Sequence, residues 1–382
     1  MDKEKTVSLY IHIPFCASKC DYCDFTSFAI SNDSKTLFTN YFSALDHELD
    51  FLNKKYLHSP HQLTSLYIGG GTPSVVPFKF YKPILQKIFD RFNPPEEFTC
   101  EVNSSSVTDY FLRGLKEYGC TRISMGLQSP NGDTLKKVNR FQTVYQFVQA
   151  YEHIKSLLFQ VNIDLICGLP ESLQTWREQC GDYMEKLSPE HCSVYILEVE
   201  KDTVLGEKYR KDHIALPSFE YTTETFQQMI WRLSQRGYRQ YEISNFSLAG
   251  YESIHNHCYW ESKNYLGIGV SAGGFFDKER YVNTHDLRKY ISSTFEKERH
   301  YDYYTVNTPE DNLREALFMG LRLKNGINVE RLKGQFPNTP VEKTIHLLAN
   351  SRYALLNNGY LRLNDYSFIH NREPFEFLLD II

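Results

Sequence analysis

The sequence predicts an α/β fold, a partial (βα)6 TIM-like barrel joined to a smaller, mainly helical, winged-helix-like C-terminal domain. Three observations carry this. Between residue 7 and about residue 197, six short β-rich runs alternate with stretches of helical periodicity. Unusual polar residues fall toward the C-terminal ends of those runs, where βα barrels place their sites. After about residue 237 the alternation stops, and a segment rich in aromatics, His, Asn and Gly leads into paired helical patterns.

The first run, VSLYIHI from Val7, enters a loop with three cysteines, and SLYIG from Ser65 ends in GGGTP. EFTCEV from Glu97, RISMGL from Arg122, VNIDLIC from Val161 and HCSVYIL from His191 complete the set. Read as near-continuous apolar strands, they require a parallel sheet covered by helices. FKFYKPILQKIFDRF sets Phe80, Ile84, Ile88 and Phe92 at helical spacing, and a helix from about Phe219 to Arg236 closes the sixth unit. The core is therefore expected at 1–237, a connecting segment at 238–300 and the C-terminal domain at 301–382. There EDNLREALFMGLRL and VEKTIHLLANSRYALLNNG read as helices, the second with Val341, Ile345, Leu348 and Leu355 on one face and Gly359 as C-cap. YLRLN and YSFIH read as strands after them.

Composition narrows the class. With 41% hydrophobic residues and a net charge of −5, the chain is an ordinary globule with no electrostatic reason to bind nucleic acid. From residue 301 onward nine Lys/Arg stand against ten Asp/Glu, so the winged-helix-like end is expected to pack on the core rather than read DNA. The opening MDKEKTVSLY is not a signal peptide, and no run approaches the roughly 20 apolar residues of a membrane helix. Nine irregularly spaced cysteines fit a reducing, cytoplasmic setting, in which the Asn32 and Asn103 glycosylation patterns are idle.

Cys16, Cys20 and Cys23 are the strongest chemical signal. Three thiolates in one compact loop suit a [4Fe–4S] cubane with one iron left open, whereas zinc sites usually pair two C-x2-C halves or add histidines. Gly69, Gly70, Gly71 and Thr72 directly follow the second strand, where glycines let the backbone approach a ligand. Glu101 ends the third strand, Gln128 the fourth, and Asp164 lies within the fifth, each a polar group among apolar neighbours that needs a partner. Arg140, in the helical stretch after the fourth strand, suits a carboxylate. Tyr10 on the first strand is a further hydrogen-bonding group.

The cysteine spacing with Tyr22 before the third thiol resembles the radical S-adenosylmethionine (SAM) superfamily. YIHIPFC, CDYCDF, YIGGGTPS, RISMGLQS, NIDLICGLP, YEISNF and HNHCYW together resemble the oxygen-independent coproporphyrinogen III oxidase-like family, and within it the haem-chaperone branch. The resemblance implies cluster ligation by the three cysteines. It also implies SAM contacts by Tyr10, Gly70, Gly71, Thr72, Glu101, Gln128, Arg140 and Asp164. His12, within the first of those words, is expected to order the cluster loop.

Two features separate the branches. The decarboxylating oxidases resemble C-x3-C-x2-C-x-C with a long leading extension, whereas this chain has Phe25 at that place and fifteen residues before Cys16. It also carries HNHCYW, and by resemblance His255, Asn256, Tyr259 and Trp260 are haem-binding, with an imidazole suited to iron. The bland alternative for His255 is a hydrogen-bonded brace between barrel and C-terminal domain. Expected partners are haem as cargo, haem-accepting proteins such as respiratory enzymes, and an electron donor. No catalytic residue is assigned, and coproporphyrinogen III oxidation is the alternative activity. The chain departs from the family at VNSSS after Glu101, at Phe141-Gln142 after Arg140, and at GIGVSAGG.

Overall fold

In each of the six runs one side chain in two is polar, and this period fixes how the sheet curves around its interior. The computed structural model describes residues 6–31, 34–58, 60–293, 295 and 299–381. The first five residues and Asn32 lie outside them. The six strands are β1 (Thr6–Ile13), β2 (Gln62–Gly70), β3 (Glu97–Val102), β4 (Arg122–Gln128), β5 (Gln160–Cys167) and β6 (His191–Ile196). They pair parallel and in sequence order, with Ser65 opposite Glu97, Thr99 opposite Arg122 and Asn162 opposite His191. Behind them stand α1 (Lys35–Tyr56), α2 (Tyr81–Arg91), α3 (Asp109–Glu117), α4 (Val144–Ser156) and α5 (Leu173–Leu187), each in one of the five crossovers, and α6 (Phe219–Ser234) after the last strand.

The strands are not apolar throughout, as the sequence reading had them. Leu9, Ile11, Ile13, Leu66, Ile68, Phe98, Cys100, Ile123 and Met125 alternate with Ser8, Tyr10, His12, Ser65, Tyr67, Thr99, Glu101 and Ser124. Successive strand side chains point to opposite faces, so the apolar set packs beneath the helices and the polar set lines the inside of the arc. The apolar set joins Phe42, Leu45, Ile84, Ile88, Leu112, Ile154 and Trp176 in one buried cluster.

The segment after α6 extends this sheet. A short helix, α7 (Ile254–Trp260), leads into β7 (Tyr265–Ile268), which lies parallel to β1 with Ser8 opposite Tyr265. Strands Gly273–Phe276, Glu279–Asn283 and Tyr301–Val306 continue outward as antiparallel neighbours, and Asn245–Ser247 and Arg239–Gln240 follow β6 at the other edge, giving twelve strands among the described residues. The sheet thus carries the chain past the boundary expected at residue 300. Glu48 of α1, wholly buried, fastens the extension by accepting from Gly269 N (2.8 Å), Asn283 Nδ2 (2.7 Å), Tyr290 OH (2.6 Å) and Arg299 Nη2 (2.6 Å).

Helices Pro309–Gly320, Val329–Gln335 and Val341–Ala349 bury a second cluster with the three-stranded sheet Ile327–Asn328, Tyr360–Leu363 and Ala354–Asn357. This is a winged-helix order of elements. Gly359 is not a helix C-cap: Asn358 and Gly359, at φ 49° and 78°, form the hairpin turn, as Asn-Gly favours. YSFIH is not a strand either. Asn364 accepts Ser367 N at 2.8 Å and starts a helix, Asp365–Ile369, that buries Phe368.

Candidate functional site

The polar faces of β1–β6 meet inside the arc. Ser124 Oγ donates to Asp164 Oδ2 (3.2 Å), and Asn162 Nδ2 donates to Asp164 Oδ1 (2.7 Å) and Ser124 Oγ (2.8 Å). His191 Nδ1 meets Asn162 Oδ1 at 2.7 Å, so that nitrogen carries the proton and Nε2 accepts from Tyr241 OH at 2.9 Å. Sequence reading found Asp164 but missed Ser124, Asn162, His191 and Tyr67. The period-two alternation of polar residues was the signal for them.

Toward the C-terminal ends of the strands, Tyr67 OH (2.8 Å) and Gly70 N (3.0 Å) donate to the two oxygens of Glu101. Burial raises the Glu101 carboxyl to about 7, against the pull of those two donors. Gly70 adopts φ 111°, and a Cβ there would stand 2.5 Å from His12 Cε1, so only glycine fits. Gly71 N and Thr72 N bond back to Ile13 and Phe15, which lays GGGTP against the cluster loop, and Thr72 Oγ1 lies 3.5 Å from Cys16 Sγ. Tyr10 OH donates to His12 Nδ1 (3.0 Å), whose Nε2 bonds the Thr26 carbonyl at 2.9 Å and so anchors the far end of the same loop.

Cys16 is buried, and Cys20 and Cys23 are half-buried. Desolvation raises the Cys16 thiol and takes Cys23 to about 11, so any metal held here would have to displace these protons. Among the described residues no three His, Cys, Asp or Glu side chains converge on one ion-sized point. Arg140 lies in the loop after the short helix Gly132–Lys137, not in a helix, and spans the cluster loop and β4. Its Nη1 reaches Cys20 Sγ (3.8 Å) and Tyr22 OH (3.3 Å), and its Nη2 reaches Gly126 O (2.6 Å). Arg140 Nε, Gln128 Oε1 and Thr99 Oγ1 are buried without a hydrogen-bond partner, and Gln128 sits at φ 67°. Buried polar atoms left this way favour a ligand that supplies the missing bonds.

Two departures from the family words touch each other. Ser104 Oγ donates to Gln142 Oε1 at 3.2 Å, and Gln142 Nε2 donates to Gly126 O at 2.9 Å. The third reaches the cluster loop, where Ser271 Oγ donates to Thr26 Oγ1 at 2.8 Å. Phe25 is 63% exposed in this loop.

HNHCYW is α7, and it closes the opposite, N-terminal end of the arc. Glu97 accepts Ser253 Oγ (3.0 Å), Ile254 N (2.9 Å) and His255 N (3.2 Å), with the buried Arg122 guanidinium 3.9 Å away. His255 is 1% exposed. Ser65 Oγ, which donates to Ser8, lies 2.8 Å from His255 Nδ1, and Tyr259 OH lies 2.8 Å from Nε2. Ser65 has spent its proton, so Nδ1–H donates to it and the Nε2 lone pair accepts from Tyr259. Tyr67 stacks on the imidazole at 5.0 Å, and burial lowers its pKa to about 3. Asn256 N donates to Ser253 Oγ at 3.2 Å within the helix cap, and Trp260 faces Arg322 of the C-terminal part, whose guanidinium lies 5.5 Å from the indole. The structure thus brings His255 and Tyr259 together, apart from Asn256 and Trp260, with both imidazole nitrogens hydrogen-bonded.

Residues 10–179 match the Radical SAM superfamily, and residues 307–366 match the HemN C-terminal domain. The chain is 32% identical to Heme chaperone HemW of Lactococcus lactis subsp. lactis (strain IL1403) over 99% of each protein. It belongs to the HemW family. The HemW of Bacillus subtilis (strain 168) is 33% identical over 87% of this chain and 89% of its own. Coproporphyrinogen III oxidase (HemN) from Escherichia coli, a radical SAM enzyme, shares the fold at a TM-score of 0.83, with 22% identity, over 98% of this chain and 90% of that one. As a member of the HemW family, this chain carries its departures at Ser104, Gln142 and Ser271 within a shared barrel.

Proposed function

We propose that this protein is a haem chaperone, which binds haem and passes it to haem-accepting proteins, respiratory enzymes among them. The observation that carries the reading is full-length similarity to curated HemW proteins, and Phe25 in place of a further cysteine favours it over coproporphyrinogen III oxidation. A cytoplasmic location fits a chain in which no helix among the described residues is long and apolar enough to cross a membrane. An electron donor is a further expected partner.

In this reading Cys16, Cys20 and Cys23 hold a [4Fe–4S] cluster, and Tyr10, Gly70, Gly71, Thr72, Glu101, Gln128, Arg140 and Asp164 surround SAM. The pair supplies reductive radical chemistry when bound. The orphaned atoms of Gln128 and Arg140 fit such a ligand, and the Glu101 carboxylate, once ionised, suits a cationic amino group. Arg140 orients Cys20 and Tyr22, while Thr72 steadies Cys16. The barrel with its sheet extension, to about residue 306, forms the core in this reading, and the helices from Pro309 form a second domain.

The test uses one anaerobically reconstituted preparation. Iron and sulfide should approach four each per chain for the cubane, and haemin should bind stoichiometrically, with no porphyrinogen product from coproporphyrinogen III, SAM and reductant. Robust decarboxylation would sink the chaperone reading.

A further inference from the structure

Two of the three departures from the family words share one buried amide. Gln142 is 6% exposed, and its Nε2 donates to Gly126 O at 2.9 Å and to Leu127 O at 3.2 Å. Its Oε1 accepts from Ser104 Oγ at 3.2 Å and from Arg140 Nη2 at 3.3 Å. An amide has two N–H donors and two lone pairs, so this one is filled to capacity. Turning it over would set Oε1 against two carbonyls and Nε2 against a guanidinium that cannot accept, which fixes its orientation.

Arg140 Nη2 also donates to Gly126 O at 2.6 Å, which closes a triangle of guanidinium, amide and carbonyl. A Cβ on Gly126 would stand 2.6 Å from Nη2 and 2.4 Å from Gln128 Nε2, so the close approach needs glycine. Nη1 is taken up by Tyr22 OH at 3.3 Å and Cys20 Sγ at 3.8 Å. Nε is then the buried donor left without a partner. We propose that Gln142 is a positioning residue for SAM: backed by Ser104, it pins Nη2 of Arg140 and leaves Nε for the carboxylate of the ligand. The proposal rests on the SAM reading above. A guanidinium held beforehand loses less conformational freedom when the carboxylate arrives, and that saving appears as affinity. Ser104 belongs to the same arrangement, because it fills the second lone pair of Oε1 from the loop after β3 and ties that loop to β4.

The experiment measures SAM affinity by calorimetry on the anaerobically reconstituted full-length protein. Decarboxylated SAM, which keeps the sulfonium and the amino group, is the second probe. Gln142→Met keeps the bulk of the side chain and removes its four bonds. It should retain the iron content and weaken SAM by at least about tenfold, while decarboxylated SAM changes by no more than about twofold. Ser104→Ala should weaken SAM by about two- to threefold. In an Arg140→Met background, Gln142→Met should change SAM affinity by no more than about twofold, because the group it positions is gone. Full additivity of those two substitutions, or equal losses for the two ligands, would mark Gln142 as merely structural and overturn the assignment. Should Gln142→Met take up no iron, Ser104→Ala decides: a loss confined to SAM supports the assignment, and unchanged SAM affinity overturns it. Failure of the unaltered, iron-loaded protein to bind SAM would defeat the SAM reading itself, a result that no variant is needed to see.

Discussion

Glu97→Ala tests whether the barrel floor holds α7. The substitution withdraws the carboxylate that receives Ser253 Oγ, Ile254 N and His255 N at 3.0, 2.9 and 3.2 Å. It also strands Arg122, which is 4% exposed and donates to Tyr251 O at 3.1 Å. Breaking a buried pair from one side costs about 3–5 kcal/mol, and each buried amide left without an acceptor costs about 1–3 kcal/mol before water enters the gap. Water reaching the shortened side chain offsets part of this, so a net loss of about 4 kcal/mol is expected, a large share of the 5–15 kcal/mol that holds a domain. Urea unfolding followed by far-UV circular dichroism gives the midpoint shift for Glu97→Ala, Arg122→Met and the double variant. The double variant should lose about 1–3 kcal/mol less than the sum of the singles, because Arg122→Met removes the stranded charge. A loss below about 1 kcal/mol for Glu97→Ala, or strict additivity, would refute the floor as the anchor of α7.

The remaining expectations follow from the same groups. The His255 imidazole titrates at about 3 folded and near 6.5 unfolded, so the unfolded chain binds more protons between these values and stability falls as pH drops through that window. His255→Gln should reduce the acid slope by up to about one proton, and an unaltered slope counts against a neutral, buried ring. Glu101 runs the other way: its folded carboxyl at about 7 lies above its ordinary value of 4.5, so stability without ligand falls as pH rises from 4.5 to 7. SAM affinity of the reconstituted protein should therefore rise between about pH 6 and pH 8, and Glu101→Gln should flatten that profile in calorimetry. Identical profiles for the two proteins would show that Glu101 does not meet the cation. Gly70→Ala places a methyl 2.5 Å from the His12 ring at φ 111°, with strain of about 1–3 kcal/mol. Its iron content should persist while the SAM-induced change in the electron paramagnetic resonance spectrum of the reduced cluster is lost. A normal SAM-induced change would show that GGGTP does not cradle the ligand.

The six strands, the cysteine loop and the helices behind the sheet were legible in the sequence, because each depends on local periodicity and on glycine, proline and cysteine spacing. Membership of a particular branch was legible as well, in words such as CDYCDF and HNHCYW. The polar interior was there to be read in the alternation of Ser8, Tyr10 and His12, but strand runs that are buried on both faces look apolar when only their content is counted. YSFIH failed because a five-residue pattern does not separate strand from helix, and the Asn364 cap decided it.

The fate of a long-range side chain is a different matter. That Ser104 meets Gln142, that Glu97 takes up the amides of α7, and that both nitrogens of His255 are occupied all depend on residues 38 to 190 positions apart or on the packing of several strands. By itself the sequence determined which elements form and where the cysteine loop falls among them, since those choices are made within a few residues. Only the tertiary structure decided that both nitrogens of His255 are engaged. Hydrogen-bond saturation belongs to the assembled interior, and no stretch of chain contains it alone.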